Sequence, residues 1–226
     1  INTDGGFSLN NSTNIGNGDL SINVDADNEV LILVGSQEGT AHFPMAVLDP
    51  GDKGLILDPS YPSHRGGLVI ADANIAKLRL KAHEEWKPDF QSLSCCELEQ
   101  LKLIIFGFPH NPTCQVGKQI WLGEAMNLGI SNQIIIAHDN PYVDLALEGN
   151  APSLLNCDGW RECGIEFFSL SKGWCMGGFR LAFAIGAKHL ITALKQIKAV
   201  VDFNQTLALQ KGAIDALLYF PDWPNK

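Results

Sequence analysis

From residue 30 onward the chain carries a series of short apolar runs: Val30–Val34, Gly54–Leu57, Leu68–Ala71, Leu101–Phe106, Ile134–Ala137, Ile165–Phe168 and Leu181–Ile185. Each is close to continuous in hydrophobicity, the pattern of strands covered on both faces. Between them, amphipathic stretches at about 38–48, 117–129, 188–199 and 205–219 predict helices. Alternating strands and helices predict an α/β fold with three layers, α/β/α, around a mainly parallel sheet. In such sheets ligands collect at the loops beyond the strand C-termini. Residues 1–28 break the pattern: they are rich in Asn, Gly, Ser and Asp and read as a poorly ordered tail. The folded unit is therefore expected over residues 29–220. No internal repeat interrupts it.

Composition narrows the classes of function. The chain is 46% hydrophobic and 18% charged, as in a globular protein with a buried core. At about 150 residues per domain, its 226 residues make one large domain or a domain plus a fragment. No apolar run approaches the roughly 20 residues of a membrane-crossing helix, so no membrane partner is expected. A formal net charge of −9 argues against a general nucleic-acid binder, which needs Lys and Arg to replace phosphate counterions. It leaves room for a local cationic pocket. The six cysteines form no C-x-x-C pair and have no His cluster beside them, so neither zinc nor another metal is expected. They suit a reduced, intracellular compartment, with the cytoplasm favoured over an organelle.

Chemistry concentrates at the strand ends. Gly35-Ser36-Gln37 follows the first run and opens a helix, where free backbone N–H groups face an anion such as phosphate. The full P-loop and dinucleotide fingerprints are absent. Asp58-Pro59-Ser60-Tyr61-Pro62-Ser63-His64 follows the second run, and its prolines stiffen a loop that can display Tyr61 as a stacking surface. Phe108-Pro109-His110-Asn111-Pro112 sets an amide between two prolines. His138-Asp139-Asn140-Pro141-Tyr142 puts a carboxylate directly after a buried strand, where it needs a cationic or N–H⁺ partner. Ser169-Leu170-Ser171-Lys172 ends in a lysine, and Arg180 follows eight residues later. At the end of an apolar strand, burial disfavours the charge of a lysine and makes it a good amine for a Schiff base. Each feature alone also suits an ordinary turn. Together they supply what pyridoxal phosphate needs at its aldehyde, ring nitrogen, phenolic oxygen, π-face and phosphate.

These blocks carry a family resemblance. LILVGSQEG, LDPSYPSH, FPHNPT, HDNPYVDL, FFSLSKGWCMGGFRLAFAIG and VDFNQTLALQKGAI occur in order over residues of about 29–220. In this the chain resembles class I/II aminotransferases of fold type I, in the LL-diaminopimelate aminotransferase-like branch. The resemblance implies the large domain of a pyridoxal 5'-phosphate-dependent transferase. Such an enzyme moves an amino group between an amino acid and a 2-oxo acid through a Schiff base at Lys172, usually as a homodimer. By the same resemblance, Asp139 would pair with the pyridine nitrogen and His64 would support Asp139 from behind. Tyr142 and Asn111 would bind the phenolic oxygen, and Tyr61 would stack on the ring. Ser36, Gln37, Ser169, Ser171 and Arg180 would hold the phosphate. Cys114 stands where the family's N-P-T-G has glycine. The resemblance also implies that a region before the first strand, and a small domain with a substrate-gripping arginine, are not represented here. A truncated or degenerate non-catalytic relative is therefore the alternative. A serine hydrolase built on the S-x-x-K of Ser169 and Lys172 is a third reading, without the companion K-T-G motif.

Overall fold

The computed structural model describes residues 24–147 and 149–225, together with the backbone of two short strands, β1 (Thr13–Asn14) and β2 (Ser21–Ile22), which pair antiparallel. Most of the expected tail thus lies outside the described residues. At its end, residues 26–28 form a turn and Val24 is buried in the core.

Seven strands build the main sheet: β3 (Val30–Leu33), β4 (Lys53–Asp58), β5 (Asn74–Arg79), β6 (Leu101–Phe106), β7 (Ile135–Asp139), β8 (Gly164–Ser169) and β9 (Ala182–Gly186). Their spatial order is β3-β9-β8-β7-β6-β4-β5. Pairs among β4, β5, β6, β7 and β8 are parallel, while β9 runs antiparallel to both its neighbours. The helices are α1 (Ser36–Val47), α2 (Pro62–Ile70), α3 (Cys95–Gln100), α4 (Gln119–Asn132), α5 (Trp160–Cys163), α6 (Lys188–Val201) and α7 (Leu207–Tyr219). None among the described residues is long and apolar enough to cross a membrane.

Strand alternation sorts the core into two layers. Leu103, Ile105, Ala137, Ile165 and Phe167 face Phe43 of α1, Leu68 of α2 and Leu194 of α6. Ile104, Phe106, Ile136 and Phe168 face Trp121, Leu122 and Met126 of α4 and Trp160 of α5. With both faces covered, the central strands can be apolar throughout, which explains their continuous runs.

One expected strand is absent. The run Leu68–Ala71 closes α2, with Leu68 buried but Val69 and Ile70 exposed at 51% and 59%. Pro62 at the first helical turn favours this start, because its missing N–H would have no helical partner there. The strand lies a few residues on, in the polar sequence of β5, which sits at the sheet edge and, among the described residues, pairs only with β4. Charged side chains such as Lys77 and Arg79 belong on an edge, where they discourage further pairing.

Candidate active site

Every parallel strand ends at the same sheet edge, and reversed β9 begins there, so both its preceding loop and the βα loops meet. Between them lies a cavity of about 310 Å³. All eleven site residues expected from the sequence line it, including Ser36 and Gln37 from the start of α1 and Tyr61 and His64 from α2 and its approach. Asn111 enters from the loop after β6, Asp139 and Tyr142 from the end of β7 and beyond, Ser169, Ser171 and Lys172 from the end of β8, and Arg180 from just before β9.

Asp139 is buried, and its Oδ2 accepts from Nε2 of buried His64 at 3.1 Å. Its Oδ1 is buried without a hydrogen-bond partner among the described residues. Such an atom is costly unless something fills its acceptor site. Gly107 on β6's exit loop passes so close to the Asp139 carbonyl that a Cβ there would collide with it. Tyr61 meets His64 edge-on with ring centroids 5.9 Å apart. Asn111 Nδ2 donates to the Tyr142 hydroxyl at 3.4 Å. Lys172 Nζ lies 5.9 Å from the centre of the Tyr142 ring. Lys172 is exposed, so the burial expected for a strand-end lysine is not supplied by these residues; the chain has already turned outward past β8. Next to it, Trp174 is buried and donates from Nε1 to Asp144 at 3.2 Å, tying the Lys172 loop to the segment after Tyr142. Burial pushes the Asp144 carboxyl above its ordinary range, against this hydrogen bond.

Arg180 brings a cation to the cavity lining. Arg180 adopts a left-handed backbone conformation with φ 52° and donates from its guanidinium to the Gly177 carbonyl at 3.0 Å. The guanidinium lies over Gly35, whose φ of 83° and lack of a Cβ permit the contact. The Arg180 carbonyl is held by the Gln205 side chain. Ser169 is buried and its hydroxyl accepts from the Ser171 N–H at 3.2 Å. The first N–H groups of α1 have no partners within the helix, and its dipole favours an anion. Glu38 in that turn is buried and ion-paired to buried Lys198 of α6 at 3.1 Å. Asp202 also binds Lys198, and His42 lies 3.6 Å from Asp202. Glu38, His42 and Asp202 bring ligand atoms within 4.8 Å of one another, but the Lys198 ammonium already serves as their cation.

Sequence reasoning overlooked two features. His110 also lines the cavity, buried, with Nδ1 2.8 Å from the Thr113 hydroxyl. Burial first, and the nearby His64 second, lower its pKa to about 4, against the Pro59 carbonyl. It stood inside the block FPHNPT and could have been singled out there. His138 and Glu166, fully buried on the far face of the sheet, gave no local signal.

The amino-acid sequence matches the model of the class I and II aminotransferases over residues 15–220. The chain belongs to that family. It is 36% identical over 199 residues to the LL-diaminopimelate aminotransferase of Dehalococcoides mccartyi, covering 88% of this chain and 51% of that protein. It is 35% identical to the glutamate-pyruvate aminotransferase AlaC of Escherichia coli, covering 87% of this chain and 48% of that protein. Among solved structures, a probable N-succinyldiaminopimelate aminotransferase from Thermus thermophilus superposes with a TM-score of 0.84 at 35% identity, over 87% of this chain and 53% of that one. An aminotransferase from Staphylococcus aureus gives a TM-score of 0.86 at 33% identity, over 89% and 54%. The chain thus spans about half the length of the curated relatives it matches. Membership of this family sets aside the serine-hydrolase reading of Ser169 and Lys172.

Proposed function

We propose that this chain forms the cofactor-binding part of an aminotransferase that moves an amino group between an amino acid and a 2-oxo acid with pyridoxal 5'-phosphate. The observation that carries the reading is the bare, buried Oδ1 of Asp139 in a cavity that also contains Lys172 and Arg180. A carboxylate oxygen awaiting a donor suits a protonated pyridine nitrogen, and a guanidinium beside a helix N-terminus suits a phosphate. The donor set fits the cofactor at both ends.

When bound, the cofactor supplies an aldehyde that exchanges amines and a ring that withdraws electrons from the substrate's α-carbon. Asp139 would hold a proton at the ring nitrogen and so keep the ring electron-poor, while His64 fixes the carboxylate through Oδ2. Tyr142 and Asn111 would bind the phenolic oxygen, and Tyr61 would offer its ring as a stacking surface. Ser36 and Gln37 offer backbone N–H groups, Ser169 and Ser171 hydroxyls, and Arg180 two charged donors to the phosphate. Lys172 would hold the cofactor through Nζ, and the same amine is the group in the cavity that could carry a proton to and from the substrate. Homodimerisation and an aqueous compartment belong to the same reading.

Mixing the chain with pyridoxal phosphate tests it. The expected result is a visible absorption band that Lys172→Ala abolishes, with 2-oxo acid released when diaminopimelate or glutamate is added. A band without release points to the non-catalytic alternative. No band overturns the cofactor assignment.

A further inference from the structure

We infer that Glu166 and His138, on the far side of the sheet from the cavity, are positioning residues that aim the Asp139 carboxylate at the cofactor's ring nitrogen. The inference rests on the function proposed above and extends it to two residues outside the cavity.

Glu166 of β8 and His138 of β7 are register partners, and neither side chain is exposed to solvent. His138 Nδ1 lies 2.9 Å from Glu166 Oε1, and His138 Nε2 accepts from the Phe108 N–H at 3.0 Å. A nitrogen that accepts a backbone N–H carries no proton, so the imidazole is the Nδ1–H tautomer and donates to Glu166. The same Oε1 accepts from Asn140 Nδ2 at 2.7 Å. Oε2 accepts from the Ser153 hydroxyl at 2.7 Å and the Leu155 N–H at 3.3 Å. Four donors fill the roughly four lone-pair sites of the carboxylate. An interior charge held this completely cannot shift without breaking several charge-assisted bonds at once.

The consequence for Asp139 follows from strand alternation. Residues 138 and 140 point to one face and residue 139 to the other. Both neighbours of Asp139 are thus tied to a single carboxylate behind the sheet, and the Asn140 N–H is further held by the Phe167 carbonyl at 2.9 Å. His138 extends the grip to Phe108, which begins the loop carrying Asn111. The peptide that bears Asp139 is clamped from behind, leaving its side chain on the cavity side with His64.

The test compares binding of pyridoxal phosphate with binding of its analogue in which carbon replaces the ring nitrogen. Only the first can use Asp139, while both use the phosphate cradle. The unaltered chain should prefer pyridoxal phosphate by about tenfold or more, the size of a hydrogen bond to a charged group. Replacing His138 by phenylalanine keeps the ring volume and removes both nitrogens. His138→Phe should shrink the preference at least about threefold while leaving affinity for the analogue unchanged. Glu166→Gln, which keeps an acceptor for His138 but loses the charge, serves if the phenylalanine variant does not fold, and should shrink the preference less. Equal weakening of both ligands, or an intact preference in the folded variants, overturns the inference. Absence of pyridoxal phosphate binding, or of any preference in the unaltered chain, overturns the parent reading and this one with it.

Discussion

Asp139 and His64 meet at 3.1 Å in a site where both side chains are almost wholly buried, yet only one carboxylate oxygen is used. Burial of a half-satisfied carboxylate works against folding, so the pair is better suited to a ligand than to stability. Asp139→Asn should therefore leave the denaturant midpoint nearly unchanged, within about 1 kcal/mol. The same substitution should weaken pyridoxal phosphate binding about tenfold, read by a fluorescence titration.

His110 gives the chain a sensitivity to mild acid. The folded chain protonates it near pH 4, whereas an unperturbed histidine does so at 6.5. Between these values the unfolded chain binds more protons, so stability is complete above pH 6.5 and falls as the pH drops towards 4. The loss through this residue should be on the order of 3 kcal/mol once it is fully protonated. Urea melts across this window should show a shallower pH slope for His110→Asn than for the unaltered chain.

Gly35 couples the entry of α1 to Arg180. Alanine there must adopt a positive φ and push into the guanidinium. We expect Gly35→Ala to lower stability by about 1–3 kcal/mol, the cost of forcing a residue with a Cβ into a backbone region that essentially only glycine occupies. Affinity should fall more for pyridoxal phosphate than for pyridoxal, which lacks the phosphate. Equal losses for the two ligands would contradict the placement of the anion at this turn.

Lys198 joins α6 to the first turn of α1 through Glu38, whose carboxyl is raised by burial against the Val34 N–H and Lys198 itself. Lys198→Met should cost about 3–5 kcal/mol, because it strands a buried carboxylate. Adding Glu38→Gln, which keeps an acceptor for the Val34 N–H without the charge, should recover part of that loss. Thermal melts of the single and double variants measure the coupling.

The central strands and the cavity were legible because their signals are local. A buried strand announces itself as an apolar run, and its chemistry sits at the end of it, as Asp139 closes β7 and Ser169 closes β8. The misplacement at Leu68–Ala71 has the opposite cause. Four apolar residues carry no period long enough to separate strand from helix, and only their environment makes Leu68 core and Ile70 surface. β5 escaped notice since an edge strand needs few apolar residues. The exposure of Lys172 was not legible, because the turn beyond β8 is tied down by Trp174 and Asp144, thirty residues apart. The Glu166 cluster joins residues from three separate stretches, and no window of sequence contains it.

The reversed strand β9 has a consequence for how the molecule assembles. β3 stands at the sheet edge and, among the described residues, pairs only with β9, Val30 opposite Ile185, so the first strand of the sheet waits for the last. Contacts so distant in sequence form late and slowly. That same pairing brings the Ser36 turn to Arg180. During synthesis, a chain that ends before Ala182 already carries Ser169, Ser171 and Arg180 but lacks the strand that holds the Ser36 turn beside the guanidinium.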